Sequence, residues 1–219
     1  MIAYQLISET IAPLHLNDTG EQALTMMSIY HVKHLPVVSK DKLIGIISED
    51  EIMANDLEKH IKDYELMGNK PFVVEKDHLF EVLSKIAEHR LTVMPVADSE
   101  MFYLGSIKQE DLIIYHANSF SFKEPGSVVV LETEKRNYSL AEISRIVEEE
   151  NGTILSTFLT AEDNSDLVLV TLKIAAENFQ GILSSFERYE YVLKGSFVED
   201  DFKDSLQERY DALMTYLNV

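Results

Sequence analysis

The stretch His34-Leu35-Pro36-Val37-Val38-Ser39-Lys40-Asp41-Lys42-Leu43-Ile44-Gly45-Ile46-Ile47-Ser48 returns later in the chain in altered form. The second copy begins Val93-Met94-Pro95-Val96-Ala97 and resumes, after a polar turn, as Tyr103-Leu104-Gly105-Ser106-Ile107-Lys108. Pro36 matches Pro95 and Gly45 matches Gly105, with one extra residue in the second turn. Apolar, β-branched runs on either side of a polar turn read as an antiparallel hairpin. A repeat of this kind decides the architecture, because one supersecondary unit cannot bury its apolar face alone and two can stack.

Both hairpins are preceded by a helical pattern. Glu21 to Tyr30 puts Ala23, Leu24 and Met27 on one face, and Leu79 to His89 does the same with Val82, Leu83 and Ile86. Both are followed by a helix start, Glu51-Ile52-Met53 in the first copy and Asp111-Leu112-Ile113 in the second. The unit is therefore β-α-β-β-α. The charged stretch from Glu49 to Glu65 is expected to be a helix with a solvated face that connects the repeats. Pro36 and Pro95 are expected at a sheet edge or bulge, since proline brings no N–H to a ladder. His31-x-x-His34 offers two nitrogens with no third ligand in reach of the pattern and reads as solvent or core, and Met26-Met27 as core filler.

The C-terminal part alternates differently. A polar linker, Ser121 to Gly126, leads to a strand from Ser127 to Glu134 and a helix opened by the capping box Ser139-x-x-Glu142, with Leu140, Ile143, Ile146 and Val147 on its apolar face. Asn151-Gly152 closes that helix. Strands Thr153 to Ala161 and Leu167 to Ile174 flank the turn Glu162-Asp163-Asn164-Ser165. A helix carrying Phe179, Ile182, Leu183 and Phe186 and a strand from about Tyr191 to Val198 complete a βαββαβ order, the ferredoxin-like arrangement. Phe202, Leu206, Leu213 and Leu217 mark the apolar stripe of a terminal helix.

Composition narrows the function. The chain has 219 residues, 38 acidic and 19 basic side chains, and a formal charge of −19, which repels phosphate backbones and anionic lipid. Nucleic-acid and membrane binding are disfavoured. Cysteine is absent, so no disulfide or thiolate chemistry is available. The apolar runs are strand-length, and Met1 to Glu9 lacks the basic flank of a signal peptide, so a cytoplasmic location is expected. No Gly-rich phosphate loop, His-Glu-x-x-His or serine elbow stands in the sequence, and a non-enzymatic role is expected.

The apolar-Pro-Val strand and the Gly-apolar-x-Ser/Thr-x-x-Asp run, in this order and duplicated, resemble the CBS domain, whose two copies associate as a Bateman module. The resemblance covers roughly residues 8 to 120. It implies an adenine nucleotide or S-adenosylmethionine held in the cleft between repeats, with the Asp of the run on ribose hydroxyls and the Ser/Thr toward phosphate. Carried onto this sequence, the binding positions are Pro36, Val37, Ser48 and Glu51 in the first copy and Pro95, Val96, Lys108 and Asp111 in the second. Glu51 stands in place of the Asp, and Lys108 in place of the hydroxyl. Ser48-x-x-Glu51 is equally a capping box, so cap and ribose contact both remain open there.

Residues 127–198 resemble the ACT domain, which implies a regulatory module. The family's usual Gly after the first strand falls near Tyr138, which turns the expectation from amino-acid binding toward dimerisation or docking. The whole order is similar to regulatory proteins of the acetoin-utilisation B type. The fold class expected is α+β: two β-α-β-β-α CBS-type repeats packed about a pseudo-two-fold, a ferredoxin-like ACT-like domain and a C-terminal helix. Its expected bounds are 1–122 for the tandem module (repeats of about 8–60 and 66–120), 127–198 and 199–219. The implied function is a homodimeric, non-catalytic sensor of AMP, ATP or S-adenosylmethionine, with no obligatory cofactor, acting on a regulated protein that the sequence does not name. The alternative is a structural or dimerisation scaffold without a ligand.

Overall fold

The computed structural model describes residues 1–66, 71–161 and 164–198. They fall into two compact units, Met1–His116 and Ala117 onward.

In the first unit, β1 (Leu14–His15), α1 (Gly20–Tyr30), β2 (His34–Ser39), β3 (Lys42–Ser48) and α2 (Glu49–Met53) form one repeat. The second consists of β4 (Val73–Val74), α3 (Leu79–His89), β5 (Val93–Ala97), β6 (Tyr103–Lys108) and α4 (Gln109–Ala117). The two sheets, ordered β1-β2-β3 and β4-β5-β6, each join a parallel pair to an antiparallel hairpin. Matching local chemistry sets matching helix ends. The Thr19 hydroxyl accepts the Gln22 N–H and the Gln22 side chain returns to the Thr19 N–H, while at the equivalent place the His78 ring accepts the Phe80 N–H. Both helices stop on a left-handed residue, His31 (φ 55°) and Arg90 (φ 52°), and the next amides bond back to Met27 and Ile86.

The hairpins differ where the sequences do. Lys40 and Asp41 both have positive φ, the signature of a two-residue primed turn. In the longer turn only Met101 (φ 68°) is left-handed, and the Asp98 carboxylate accepts the Glu100 and Phe102 amides at 2.8 Å. Pro36 and Pro95 lie on the middle strands rather than on edges. They are tolerated because β1 and β4 begin pairing only one residue later, at Val37 and Val96, and a register shift follows in both strands.

The repeats are stitched together reciprocally. Ala3 and Tyr4 donate their amides to Asp77 and Glu75 of the second repeat, and Ile61 and Lys62 donate theirs to Asp18 and Leu16 of the first. At the seam, the Leu43 N–H meets the Met101 carbonyl at 2.9 Å and the Tyr103 N–H meets the Asp41 carbonyl at 2.8 Å. Lys42 and Phe102, which are equivalent residues, bridge each other, so the pseudo-two-fold passes between them. The cores follow the same exchange: Val93 is buried among first-repeat residues and Ile46 among second-repeat residues. The expected connecting helix from Glu49 to Glu65 is cut short at Met53. Asp56 caps a turn through the Glu58 amide, and the chain doubles back so that Leu57 and Lys59 carbonyls take the free amides of Glu21 and Gly20 at the start of α1.

The second unit contains α5 (Phe120–Lys123), β7 (Ser127–Glu134), α6 (Leu140–Glu149), β8 (Thr153–Thr160), β9 (Leu167–Ala175), α7 (Phe179–Arg188) and β10 (Val192–Phe197). Its sheet runs β10-β7-β9-β8, antiparallel throughout, the ferredoxin-like order. Alternate residues Val129, Leu131, Val170 and Leu172 pack with Ile143, Ile146, Ile182 and Phe186 of the two helices. Asn151 takes the left-handed conformation (φ 57°), and Gly152 follows where an added Cβ would stand 2.8 Å from both Val147 and Ile182. The polar stretch read as a linker contains the short helix α5, whose Phe122 carbonyl accepts the Lys173 ammonium. The terminal helix expected over 199–219 and the turn residues Glu162 and Asp163 lie outside the described residues.

Candidate ligand site in the paired repeats

β2 and β5 lie side by side across the pseudo-two-fold. Pro36, Val37, Pro95 and Val96 are buried in them, and the Val37 and Val96 side chains belong to the two cores, so these positions can present backbone but no side chain to a ligand. Polar groups therefore have to come from the ends of β3 and β6 and the helices they enter.

At the first end, the Ser48 N–H and hydroxyl both donate to Glu51 Oε2, at 2.7 and 2.8 Å, and the Glu51 N–H donates to Ser48 Oγ at 3.2 Å. This is a complete capping box that uses one carboxylate oxygen and leaves Oε1 outside these bonds. At the second end there is no such box. Lys108, whose side chain is 16% exposed, pairs with Glu110 at 2.6 Å, and this contact holds the Glu110 carboxyl below the usual carboxylate range. Asp111 is partly buried in the first turn of α4, with no hydrogen bond or ion pair among the described residues. Ser48 and Glu51 are thus brought together, whereas no such bond joins that pair to Lys108 or Asp111.

Two polar contacts near the seam have no counterpart in the sequence reading. Thr92, one residue before β5, accepts the Lys33 N–H on Oγ1 at 2.9 Å and donates its own N–H to His34 Nδ1 at 3.2 Å, with the hydroxyl 3.1 Å from the same nitrogen. An Nδ1 that accepts the amide carries no proton, so the neutral ring is protonated on Nε2. Burial pushes the imidazole below its usual value, against the opposing pull of Glu51, Asp50 and Glu49, while Lys33 adds to the lowering. The second contact is Tyr103 Oη to the fully buried Ser106 hydroxyl at 2.9 Å, where burial raises the phenol. Ser106 takes the place of Ile46, a polar-for-apolar exchange visible in the aligned strands. Thr92 matches Lys33 and gives no such signal.

Among the described residues no group of three or more His, Asp or Glu is arranged for a metal ion, and no helix is long and apolar enough to cross a membrane.

Comparison with known proteins places this unit. Residues 3–58 match the CBS domain family model. An inosine-5′-monophosphate dehydrogenase of Methanocaldococcus jannaschii is 29% identical over 115 residues, which is 51% of this chain and 23% of that protein. A homoserine O-acetyltransferase of Methanococcus vannielii is 25% identical over 117 residues, 51% of this chain and 24% of that one. The chain thus spans about a quarter of the length of the curated relatives it matches. A crystal structure of a CBS domain pair/ACT domain protein from Thermotoga maritima is 20% identical, with a TM-score of 0.49, covering 54% of this chain and all of that one. Residues 3–58 thus match the CBS domain family model, and a second repeat with the same strand order stands beside them.

Proposed function

We propose that the paired repeats bind an adenosine-containing metabolite, AMP, ATP or S-adenosylmethionine, and that the chain is a non-catalytic, cytoplasmic, homodimeric regulator whose second unit is an ACT-like signalling or docking domain. The bounds of this reading are 1–122 for the tandem module and 127–198 for the ACT-like domain. The observation that carries the ligand assignment is Asp111: a partly buried carboxylate at a helix start, next to a strand end, with no partner of its own among the described residues. A carboxylate without a protein donor is open to a ligand, and a pair of ribose hydroxyls would supply two donors. Lys108 serves a phosphate or the tail that replaces it, after exchanging Glu110. Glu51, through Oε1, serves the first cleft with Ser48. The charge of −19 opposes a polyphosphate, which favours AMP or cationic S-adenosylmethionine over ATP. Ligand binding shifts the unit only by its differential affinity for two arrangements of the repeats.

The scaffold reading has its own support, because Glu51 is used in a cap and Lys108 in an ion pair without any ligand. Thermal unfolding against adenosine compounds separates the two. A ligand at a hundredfold its dissociation constant stabilises by about 2.7 kcal/mol, a shift of several degrees. The shift is expected with wild type and is expected to vanish in Asp111→Ala. No shift with any compound supports the scaffold, and an equal shift in both proteins rejects the Asp111 assignment.

A further inference from the structure

We infer that the C-terminal segment of this chain, residues 199–219, lies across the outer face of the second unit's sheet, the face turned away from α6 and α7. Alternation along the strands separates the two faces. Val129, Leu131, Val170 and Leu172 point into the core, so Val128 and Val130 of β7 and Leu167 and Leu169 of β9 stand on the other side. Directly opposed residues share a face, which adds Val192 and Phe197 of β10, the partners of Glu132 and Val128. This outer face is apolar and open: Phe197, Val192 and Leu167 are 64%, 52% and 42% exposed. α5 meets it toward β8, where the Phe122 and Phe158 rings pack edge to face with centroids 6.3 Å apart. Glu132 and Lys173, which also stand on it, are already engaged, Glu132 by Lys194 and Lys173 by the Phe122 carbonyl, each at 3.0 Å. What remains is a surface suited to an apolar cover.

The occupant follows from where the chain goes next. β10 ends at Phe197, on the margin of this face. Residues 199–219 are read from their sequence, since they lie outside the described residues. At helical spacing Phe202, Leu206, Tyr210, Leu213 and Leu217 fall on one side, and Asp204, Glu208 and Asp211 on the other. As a helix, Phe202 to Leu217 spans about 24 Å, against about 27 Å for the eight residues of β7. Running back from the Val128 end, such a helix brings Leu206 over Val130, and Leu213 toward the hollow lined by Glu132, Thr160, Leu167 and Leu169. A second copy is the rival occupant, but two chains at −19 repel, whereas a segment tethered at the margin of the face is held there at high effective concentration.

Because the chain contains no cysteine, introduced thiols report the contact without background. Two pairs are placed in the full chain, Val130→Cys with Leu206→Cys and Leu169→Cys with Leu213→Cys. In the controls Asp204→Cys and Asp211→Cys, on the charged side of the segment, replace Leu206→Cys and Leu213→Cys. A disulfide needs Cβ atoms about 3.5–4.5 Å apart, which packed faces reach and the far side of a helix does not. Under copper-phenanthroline oxidation at least one pair is expected to close within a single chain at least tenfold faster than its control. As single variants, Val130→Cys and Leu169→Cys are expected to react with maleimide at least tenfold more slowly in the full chain than in a chain ending at Val198. Pairs that close no faster than their controls overturn the inference, and so do equal maleimide rates in the two chains. Links that join two chains, at rates rising with protein concentration, put a second copy on the face and overturn it as well. Far-UV circular dichroism identifies any variant or shortened chain that fails to fold, and the other of the two measurements then decides.

Discussion

Gly45 and Gly105 look interchangeable in the aligned repeats, yet they are under different constraint. An added Cβ at Gly45 meets Leu66 at 3.2 Å, a contact a flexible side chain can relax. At Gly105 the φ of 151° lies where side chains are rarely found, and the Cβ would stand 2.4 Å from Ile7 Cγ2. Gly105→Ala is expected to lose on the order of 2 kcal/mol in urea denaturation, and Gly45→Ala less than half of that. The glycine match was legible in the sequence; its reason was not, because Ile7 and Leu66 each reach their glycine from the opposite repeat. His34 gives a pH dependence at the same scale. Its folded value is depressed below 6.5, so the unfolded state takes up the proton first as pH falls. The contribution to stability is full above 6.5 and is lost as pH drops from there toward the folded value. Replacing His34 by Gln, which keeps an acceptor for Thr92, is expected to flatten stability against pH between about 5 and 6.5, above the usual carboxylate range. An unchanged slope would place the titration elsewhere.

Elements with strong local signals were read closely. α3 spans the Leu79 to His89 range that the apolar spacing gives it, and the βαββαβ order of the second unit emerges from alternation and caps alone. The stretch after Ser48 was overextended, because its charges suit a solvated helix and nothing local announces that Leu57 and Lys59 carbonyls are needed to finish α1. The two-residue strands β1 and β4 are likewise set by tertiary pairing, since they align on Val37 and Val96 only after the hairpins exist. In the candidate site, the capping box at Ser48 was legible and its competitor, ribose contact by Glu51, stays a matter of ligand chemistry. α2 has only five residues, so its cap is a large part of what holds it. Ser48→Ala is expected to cost about 1 kcal/mol in the ligand-free protein, read as a lowered urea midpoint with an unchanged m-value. A loss well below that would mean the box contributes little and would free Ser48 for the ligand role.

Across the whole molecule, cooperativity and charge act at different ranges. Within the first unit the two cores each contain a residue from the other repeat, Val93 and Ile46, so neither repeat keeps a complete core without its partner. The second unit has a core of its own. That division was legible as a change of pattern after residue 120, while the exchange of core residues was not, since a repeat read by itself gives no sign of what its neighbour inserts. Charge is shared by both units: 38 acidic against 19 basic side chains. The ion pairs that offset it are mostly exposed, such as Lys33–Glu49 and Arg145–Glu149, and exposed pairs contribute roughly 0–1 kcal/mol each. Repulsion among the unpaired carboxylates acts over longer distances and is screened as the Debye length falls from about 30 Å at 0.01 M salt to about 8 Å at 0.15 M. Screening removes more repulsion than attraction here, so the thermal midpoint is expected to rise by a few degrees over that range. A sodium chloride titration followed by calorimetry checks this. A midpoint that falls with salt would show that local ion pairs outweigh the net charge.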